Sequence, residues 1–229
     1  MSVEEFKRQV GAYAAELVHS GDVVGLGSGS TARFATQSIA ARLRAGTLRD
    51  IVGIPTSEDT ASLARAEGIP LTTLEEHGLI DITIDGADEV DPAWNVIKGL
   101  GGCLLREKIV AHATRREVMV VDASKLVPAL GTKAPVPVEV IRFGWQGTRQ
   151  SLERTGARPV LRMQGAAPFV TDEGNWILDC FYGPIADPVG LAARIIAIPG
   201  VVEHGLFLGM VQDVVVAGAE GVRVLERNR

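Results

Sequence analysis

Ile80, Ile82 and Ile84 alternate with Asp81 and Thr83, the period of a β-strand, and run directly into Asp85-Gly86-Ala87-Asp88-Glu89. The same order of apolar strand, polar or glycine-rich turn and helix recurs along the chain. Val23-Val24-Gly25-Leu26 precedes Gly27-Ser28-Gly29-Ser30-Thr31 and a helix carrying Phe34, Ile39 and Leu43. Ile51-Val52-Gly53-Ile54 precedes a helix near 58–66. Lys98-Gly99-Leu100-Gly101-Gly102 leads into a helix over about 104–115, followed by Val118-Met119-Val120-Val121. Strands alternating with helices require right-handed crossovers, which points to the α/β class with a mostly parallel sheet flanked by helices. Ligands of such sheets sit beyond the carboxyl ends of the strands, where these turns fall.

The ends of the chain follow other patterns. Ser2 and Glu5 have the spacing of a capping box, and Phe6, Val10, Tyr13 and Leu17 recur at helical intervals before Gly21 stops the helix. After Lys133 the alternation thins. Pro135, Pro137 and the run Val138-Glu139-Val140-Ile141 open that region, and Val170-Thr171 with Trp176-Ile177-Leu178 reads as a hairpin across a polar turn. Asp187 caps a helix with Pro188 at its first position, and Pro199-Gly200 ends it. Val214-Val215-Val216 is a last strand. These features predict a first domain of residues 1–130 plus 206–229 and a smaller α+β domain over 131–205.

Composition narrows the function classes. A formal net charge of -5 lacks the basic stripe of a general nucleic-acid binder, though a few lysines and backbone amides can still hold a phosphate. Cys103 and Cys180 form no CxxC pair, which favours a reducing compartment. Acidic residues occupy the start of the chain where a signal peptide needs an apolar run, and no apolar segment approaches a membrane span. A cytoplasmic location is the expectation.

Each chemically suggestive group admits two readings. Gly27 to Thr31, at a helix start, can cradle an anion with its amides and the hydroxyls of Ser28, Ser30 and Thr31, or those hydroxyls can simply cap the helix. Ala32 in the third glycine position argues against a dinucleotide site. Asp85 and Asp88 can move hydroxyl protons or tie down a loop. Lys98, set among glycines, can reach a ligand lying on bare backbone. Glu107 can point into the same cleft, where burial would make it a base, or it can be an exposed helix glutamate. Lys125, in Asp122-Ala123-Ser124-Lys125, is suited to a phosphate or to the surface. The four histidines are scattered; metal binding by Asp85 and Asp88 is a minor alternative, since no His stands nearby and the spacing is not that of an EF-hand loop.

Together these segments resemble the type A family of ribose-5-phosphate isomerases. The resemblance rests on Gly27 to Thr31, Asp85 to Glu89, Lys98 to Gly102, Leu105-Arg106-Glu107-Lys108-Ile109, Asp122 to Lys125 and Pro137-Val138-Glu139-Val140. Thr171-Asp172 with Gly174-Asn175, and Ile198-Pro199-Gly200-Val201-Val202, extend it over almost the whole chain. Leu100 stands where relatives usually carry Gly, and Cys103 where Ala is usual.

The resemblance implies interconversion of ribose 5-phosphate and ribulose 5-phosphate through an enediolate, in the pentose phosphate pathway, with no cofactor and no metal. It implies Glu107 as the base, Asp85 with Asp88 in ring opening and hydroxyl proton transfer, and Lys98 as stabiliser of the enediolate oxygen. Ser28, Gly29, Ser30, Thr31, Asp85, Gly86, Ala87, Asp88, Lys98, Gly99, Leu100, Gly101 and Lys125 would contact substrate. It also implies a homodimer or homotetramer. The competing readings are a non-catalytic phosphosugar sensor, which needs the cradle but not Glu107, an amino-sugar phosphate deaminase and a CoA transferase.

Overall fold

A computed structural model describes residues 3–218 and 221–225. Along the chain run α1 (Val3–Ala15), β1 (Val23–Leu26), α2 (Ser30–Arg44), β2 (Val52–Pro55), α3 (Glu58–Ala66), β3 (Ile80–Gly86), β4 (Glu89–Val90), β5 (Val96–Ile97), α4 (Leu104–His112) and β6 (Thr114–Asp122). After a 3-10 turn at Ala123–Lys125 come β7 (Val136–Val140), α5 (Trp145–Glu153), β8 (Arg158–Leu161), β9 (Met163–Gln164), β10 (Ala167–Pro168) and β11 (Trp176–Phe181). The chain closes with α6 (Pro188–Ile196), β12 (Val201–His204), β13 (Leu206–Phe207), β14 (Asp213–Gly218) and β15 (Gly221–Leu225).

Contacts divide the chain into two units. The first comprises Met1–Ala87, Arg106–Lys125 and Met210–Arg229, and the second Asp88–Leu105 and Leu126–Gly209. This division differs from the boundaries at 130/131 and 205/206 expected above, chiefly because residues 88–105 group with the second unit.

The first unit holds a six-stranded sheet in the order β15-β14-β6-β3-β1-β2. All neighbours in it are parallel except the β14–β15 pair. Val118, Met119, Val120 and Val121 are fully enclosed, as expected of a central parallel strand covered on both faces. Val10, Val24, Leu26, Ile39, Ile84 and Val215 belong to one core cluster of this unit. From β1 the chain first builds outward to β2 and then returns to β3 on the other side. The order therefore reverses at β1, and the crevice of a doubly wound sheet opens where β1 and β3 end.

The second unit carries a four-stranded antiparallel sheet, β12-β7-β11-β8, and a three-stranded one, β13-β5-β4. Its core gathers Ile97, Val136, Val138, Leu178, Ile195 and Leu206. Asp187 caps α6 by accepting the Gly190 N–H at 2.9 Å, with Pro188 at the first position as expected.

Three local expectations are corrected, and one falls outside the described residues. The helix expected over 104–115 stops at His112 because Ile80 N–H takes the Ala113 carbonyl and Thr114 pairs in register with Ile80, so Arg115 belongs to β6. The chain turns at 171–175, yet Trp176 to Phe181 pairs with β7 and β8 rather than with Val170-Thr171. Its Ile177, Leu178 and Cys180 are enclosed, which a central strand achieves and a two-strand hairpin does not. α1 ends at Ala15, so Leu17 lies just past it. The Ser2 half of the capping box lies outside the described residues.

Candidate active site

Asp85 lies at the end of β3 and is 1% exposed. Its Oδ1 accepts the N–H of Ser28 at 3.1 Å and of Gly86 at 2.7 Å, tying the carboxylate to the turn after β1. Gly27 makes this approach possible. A Cβ there would stand 2.4 Å from the Asp85 carboxyl, well inside van der Waals contact.

That turn does not cap α2 with its hydroxyls. The N-cap is Gly29, with no side-chain cap bond, so the first N–H groups of α2 are not taken up by a capping side chain. The Ser28 hydroxyl instead faces α3. It donates to Ser57 Oγ at 2.7 Å and lies 2.8 Å from Thr56 Oγ1 and 3.2 Å from Thr60 Oγ1. Ser30 and Thr31 are left to serve the helix N-terminus, with Ser30 exposed and Thr31 half-buried.

The structure brings in a cation that the sequence reading did not single out. Lys7 Nζ donates to Ser30 Oγ at 2.7 Å. It gets there because Gly11, one turn along the same face of α1, lets the helix press onto α2. A Cβ at Gly11 would stand 2.7 Å from Ala35 N and 2.8 Å from Phe34 Cβ. The signal in the sequence was the glycine inside an otherwise regular amphipathic helix.

Glu107 sits in the first turn of α4 and is 6% exposed, so it is not a solvent-facing helix glutamate. Its neighbour Arg106 turns to Glu58 on α3, 2.8 Å away, and holds that carboxyl below the usual carboxylate range. Lys125 is half-buried, in the short turn at the carboxyl end of β6. Gly86 and Ala87 are half-buried at the end of β3. A cavity of about 630 Å³ in this unit, lined among others by Ile54, Glu58, Arg65, Leu71, Arg106 and Ile109, contains none of the candidate catalytic or substrate-contacting residues.

The remaining candidates belong to the second unit. Lys98, which follows β5, is 2% exposed, with its N–H on the Gly205 carbonyl at 2.9 Å and its Nζ 5.6 Å from the Phe207 ring centroid. Gly99, Leu100 and Gly101 begin the turn after it, closed by Gly102 N–H on the Gly99 carbonyl at 3.0 Å. Asp88 Oδ2 accepts the Leu100 N–H at 3.0 Å, which makes it an anchor of that turn. Along the chain, Asp85 to Asp88 flank one junction of the two units, Glu107 follows another by two residues, and Lys125 ends a third segment.

Among the described residues no group of three or more His, Cys, Asp or Glu side chains is placed to hold a metal ion. No helix of the described residues is long and apolar enough to cross a membrane.

The family model described as "Ribose 5-phosphate isomerase A (phosphoriboisomerase A)" matches residues 52–221. A "Ribose-5-phosphate isomerase A" of Chloroflexus aurantiacus is 55% identical over 223 residues, covering 97% of this chain and 93% of that protein. One of the same name from Gloeobacter violaceus is 56% identical over 226 residues, covering 98% of this chain and 97% of that protein. The structure of a ribose 5-phosphate isomerase from Plasmodium falciparum superposes with a TM-score of 0.96 at 39% identity, covering 99% of this chain and 100% of that one. A D-ribose-5-phosphate isomerase in complex with phospho-erythronic acid gives a TM-score of 0.97, also at 39% identity and covering 99% of this chain and 100% of that one. With a family model matched over most of its length and relatives more than half identical end to end, the chain belongs to the ribose 5-phosphate isomerase A family.

Proposed function

We propose that this chain, an isomerase of ribose 5-phosphate, uses Glu107 as the base that moves a proton between C2 and C1 of the open-chain sugar. The carboxylate takes the C2 hydrogen, the C–H electron pair becomes the C1=C2 bond, and O1 acquires the enediolate charge. Lys98 stabilises that charge. Asp85 carries the hydroxyl proton from O2 to O1 and assists ring opening, with Asp88 holding the turn that follows Lys98. Return of the proton from Glu107 to C1 completes ribulose 5-phosphate. Each proton in this sequence moves between side chains and substrate, and no step calls for a metal.

The phosphate falls to the α2 N-terminus, where Ser30, Thr31 and Lys7 meet, and to Lys125. A helix start with no side-chain cap and a lysine 2.7 Å from its first hydroxyl combines oriented N–H donors with a full positive charge. That a related enzyme is found in complex with phospho-erythronic acid, a phosphorylated sugar acid, supports a phosphosugar as the ligand.

The observation that carries this reading is the burial of Glu107, at 6% exposed, on the first turn of α4. A base held in one place out of bulk water meets the geometric demand of proton abstraction. The test is Glu107→Gln, which keeps shape and removes the base. Turnover of ribose 5-phosphate is expected to fall about 100-fold or more, with KM moving little. Turnover near that of the parent enzyme would remove Glu107 from the role.

The same proposal places the protein in the cytoplasm as a homodimer or homotetramer. Cys103 and Cys180 are thiols outside any disulfide, which suits a reducing compartment. Phe143 at 91% and Val189 at 66% exposed are large apolar side chains of a kind that subunit contacts cover.

A further inference from the structure

The turn that follows Lys98 has few means of holding itself. Gly99, Gly101 and Gly102 have no side chains to pack, and Leu100 is 41% exposed. Yet its backbone is gripped from two sides. Asp88 takes the Leu100 N–H, while the carbonyls of Gly99 and Leu100 both accept from Nη1 of Arg162, at 2.9 and 3.0 Å.

Arg162 is itself immobilised. It directly follows β8, and its N–H donates to the Ile177 carbonyl at 2.9 Å. Its Nε and Nη2 donate to the two carboxylate oxygens of Asp179, at 3.0 and 2.5 Å, the bidentate fork of an arginine–carboxylate pair. Its guanidinium carbon lies 5.9 Å from the Phe169 ring centroid. Asp179 thus occupies two of the three guanidinium nitrogens, leaving Nη1 aimed at the turn.

The two side chains are only 12% and 17% exposed. Apolar side chains of the same volume would fill this place without the cost of desolvating two charges. What the ion pair adds is position.

Peptide geometry carries the effect further. Among the described residues there are no cis peptides, and across a trans peptide the C=O and N–H point in opposite directions. Fixing the Gly99 carbonyl on Arg162 therefore turns the Leu100 N–H away, which is where Asp88 takes it. Fixing the Leu100 carbonyl in the same way aims the Gly101 N–H away from Arg162.

We propose that Arg162, clamped by Asp179, is a positioning residue for the isomerisation. It sets the Gly99–Gly101 backbone, and with it Lys98 and the Gly101 N–H, in the orientation that meets the charge developing on the substrate oxygens. This rests on the role given to Lys98 above.

The test combines steady-state kinetics with hydrogen exchange at residues 99–102, on the full chain bearing Arg162→Met, Arg162→Lys or Asp179→Asn. Methionine keeps the apolar stem and loses the donors. It is expected to lower kcat about ten- to a hundredfold while KM moves less than about threefold, because a displaced turn weakens transition-state contacts more than ground-state ones. The amides of 99–102 should exchange about tenfold faster in the same variant. Lysine, which can still donate to a carbonyl, should recover part of kcat. If Arg162→Met does not fold, Asp179→Asn decides, since it keeps the arginine and weakens only the fork. A folded variant with parental kcat, or one whose loss follows only its folded fraction while exchange at 99–102 is unchanged, overturns the proposal. Exchange is read without turnover, so failure of Glu107 as the base would show in Glu107→Gln and leave this measurement intact.

Discussion

Glu139 shows how far a single buried carboxylate can shape the pH response of the fold. It is 1% exposed on β7, and its Oε1 accepts from Thr171 Oγ1 and Asn175 Nδ2, both at 2.9 Å. Burial pushes its pKa above the usual carboxylate value, against the pull of those two hydrogen bonds. Between the unfolded value near 4.5 and the higher folded one, the native state binds more protons than the unfolded chain. Stability therefore falls as pH rises through that window, and the deficit persists above it. Glutamine at this position keeps an oxygen for both donors and removes the charge. Glu139→Gln is expected to raise the melting temperature at pH 7–8 by a few degrees, with the gain shrinking toward pH 4. A variant equal to the parent at every pH would contradict this.

Residues of this kind also mark what the sequence makes legible. Asp85, Lys98 and Glu107 were singled out because glycines and strand ends surround them, and all three are buried. Lys7 was missed because its own neighbourhood is that of any helical lysine. Only the packing of α1 on α2 through Gly11 brings it to Ser30. The Ser28 hydroxyl was expected toward ligand and faces α3, because its partners Thr56, Ser57 and Thr60 are some thirty residues away and leave no local signature.

Among elements, the parallel sheet was readable because its strands are short β-branched runs followed by turns. The second unit was less so. Helix α5 buries only Thr148 and Leu152, too sparse a stripe to announce a helix. β11 lies between β7 and β8, so its partners come from well before it, and the polar turn at 171–175 suggested a hairpin that does not form. The junction of β1, α2 and β3 offers a test at this scale. Gly27→Ala needs no unusual backbone angle there, but it sets a methyl 2.4 Å from the Asp85 carboxyl and 2.5 Å from the Asp85 Cα. Either the carboxylate or the turn must shift, at about 1–3 kcal/mol for overpacking of an enclosed site. A lower melting temperature should accompany a fall in kcat/KM of about tenfold or more, as Asp85 loses its bond to Ser28. Full activity in Gly27→Ala would mean that the carboxylate's placement does not matter to the reaction.

At the scale of the molecule, neither unit is a continuous stretch of chain. The second is assembled from 88–105 and 126–209, and the earlier piece is structural in its own right. β4 and β5 build the sheet with β13, and Ile97 enters the core beside Val136 and Leu206. Glu89 from β4 is fully enclosed. It accepts the N–H of Gly131 at 2.6 Å and of Ala134 at 2.7 Å, and also that of Lys133, so the segment leading into β7 is organised around one carboxylate from the earlier piece. A fragment of residues 126–209 would keep β7, β8, β11 and β12 yet lose these donors' acceptor, the partner strand of β13 and part of its core. The N–H of Ala134, a buried residue, would be left without its acceptor at a cost of about 1–3 kcal/mol, and Gly131 and Lys133 lose theirs too, a sizeable share of the stability of a small domain. The isolated fragment is expected to show no cooperative thermal transition by circular dichroism. A fragment extended to 88–209, with the 106–125 segment replaced by a flexible linker, should regain one. A sharp transition in 126–209 alone would mean that Glu89 and Ile97 decorate a unit that folds without them.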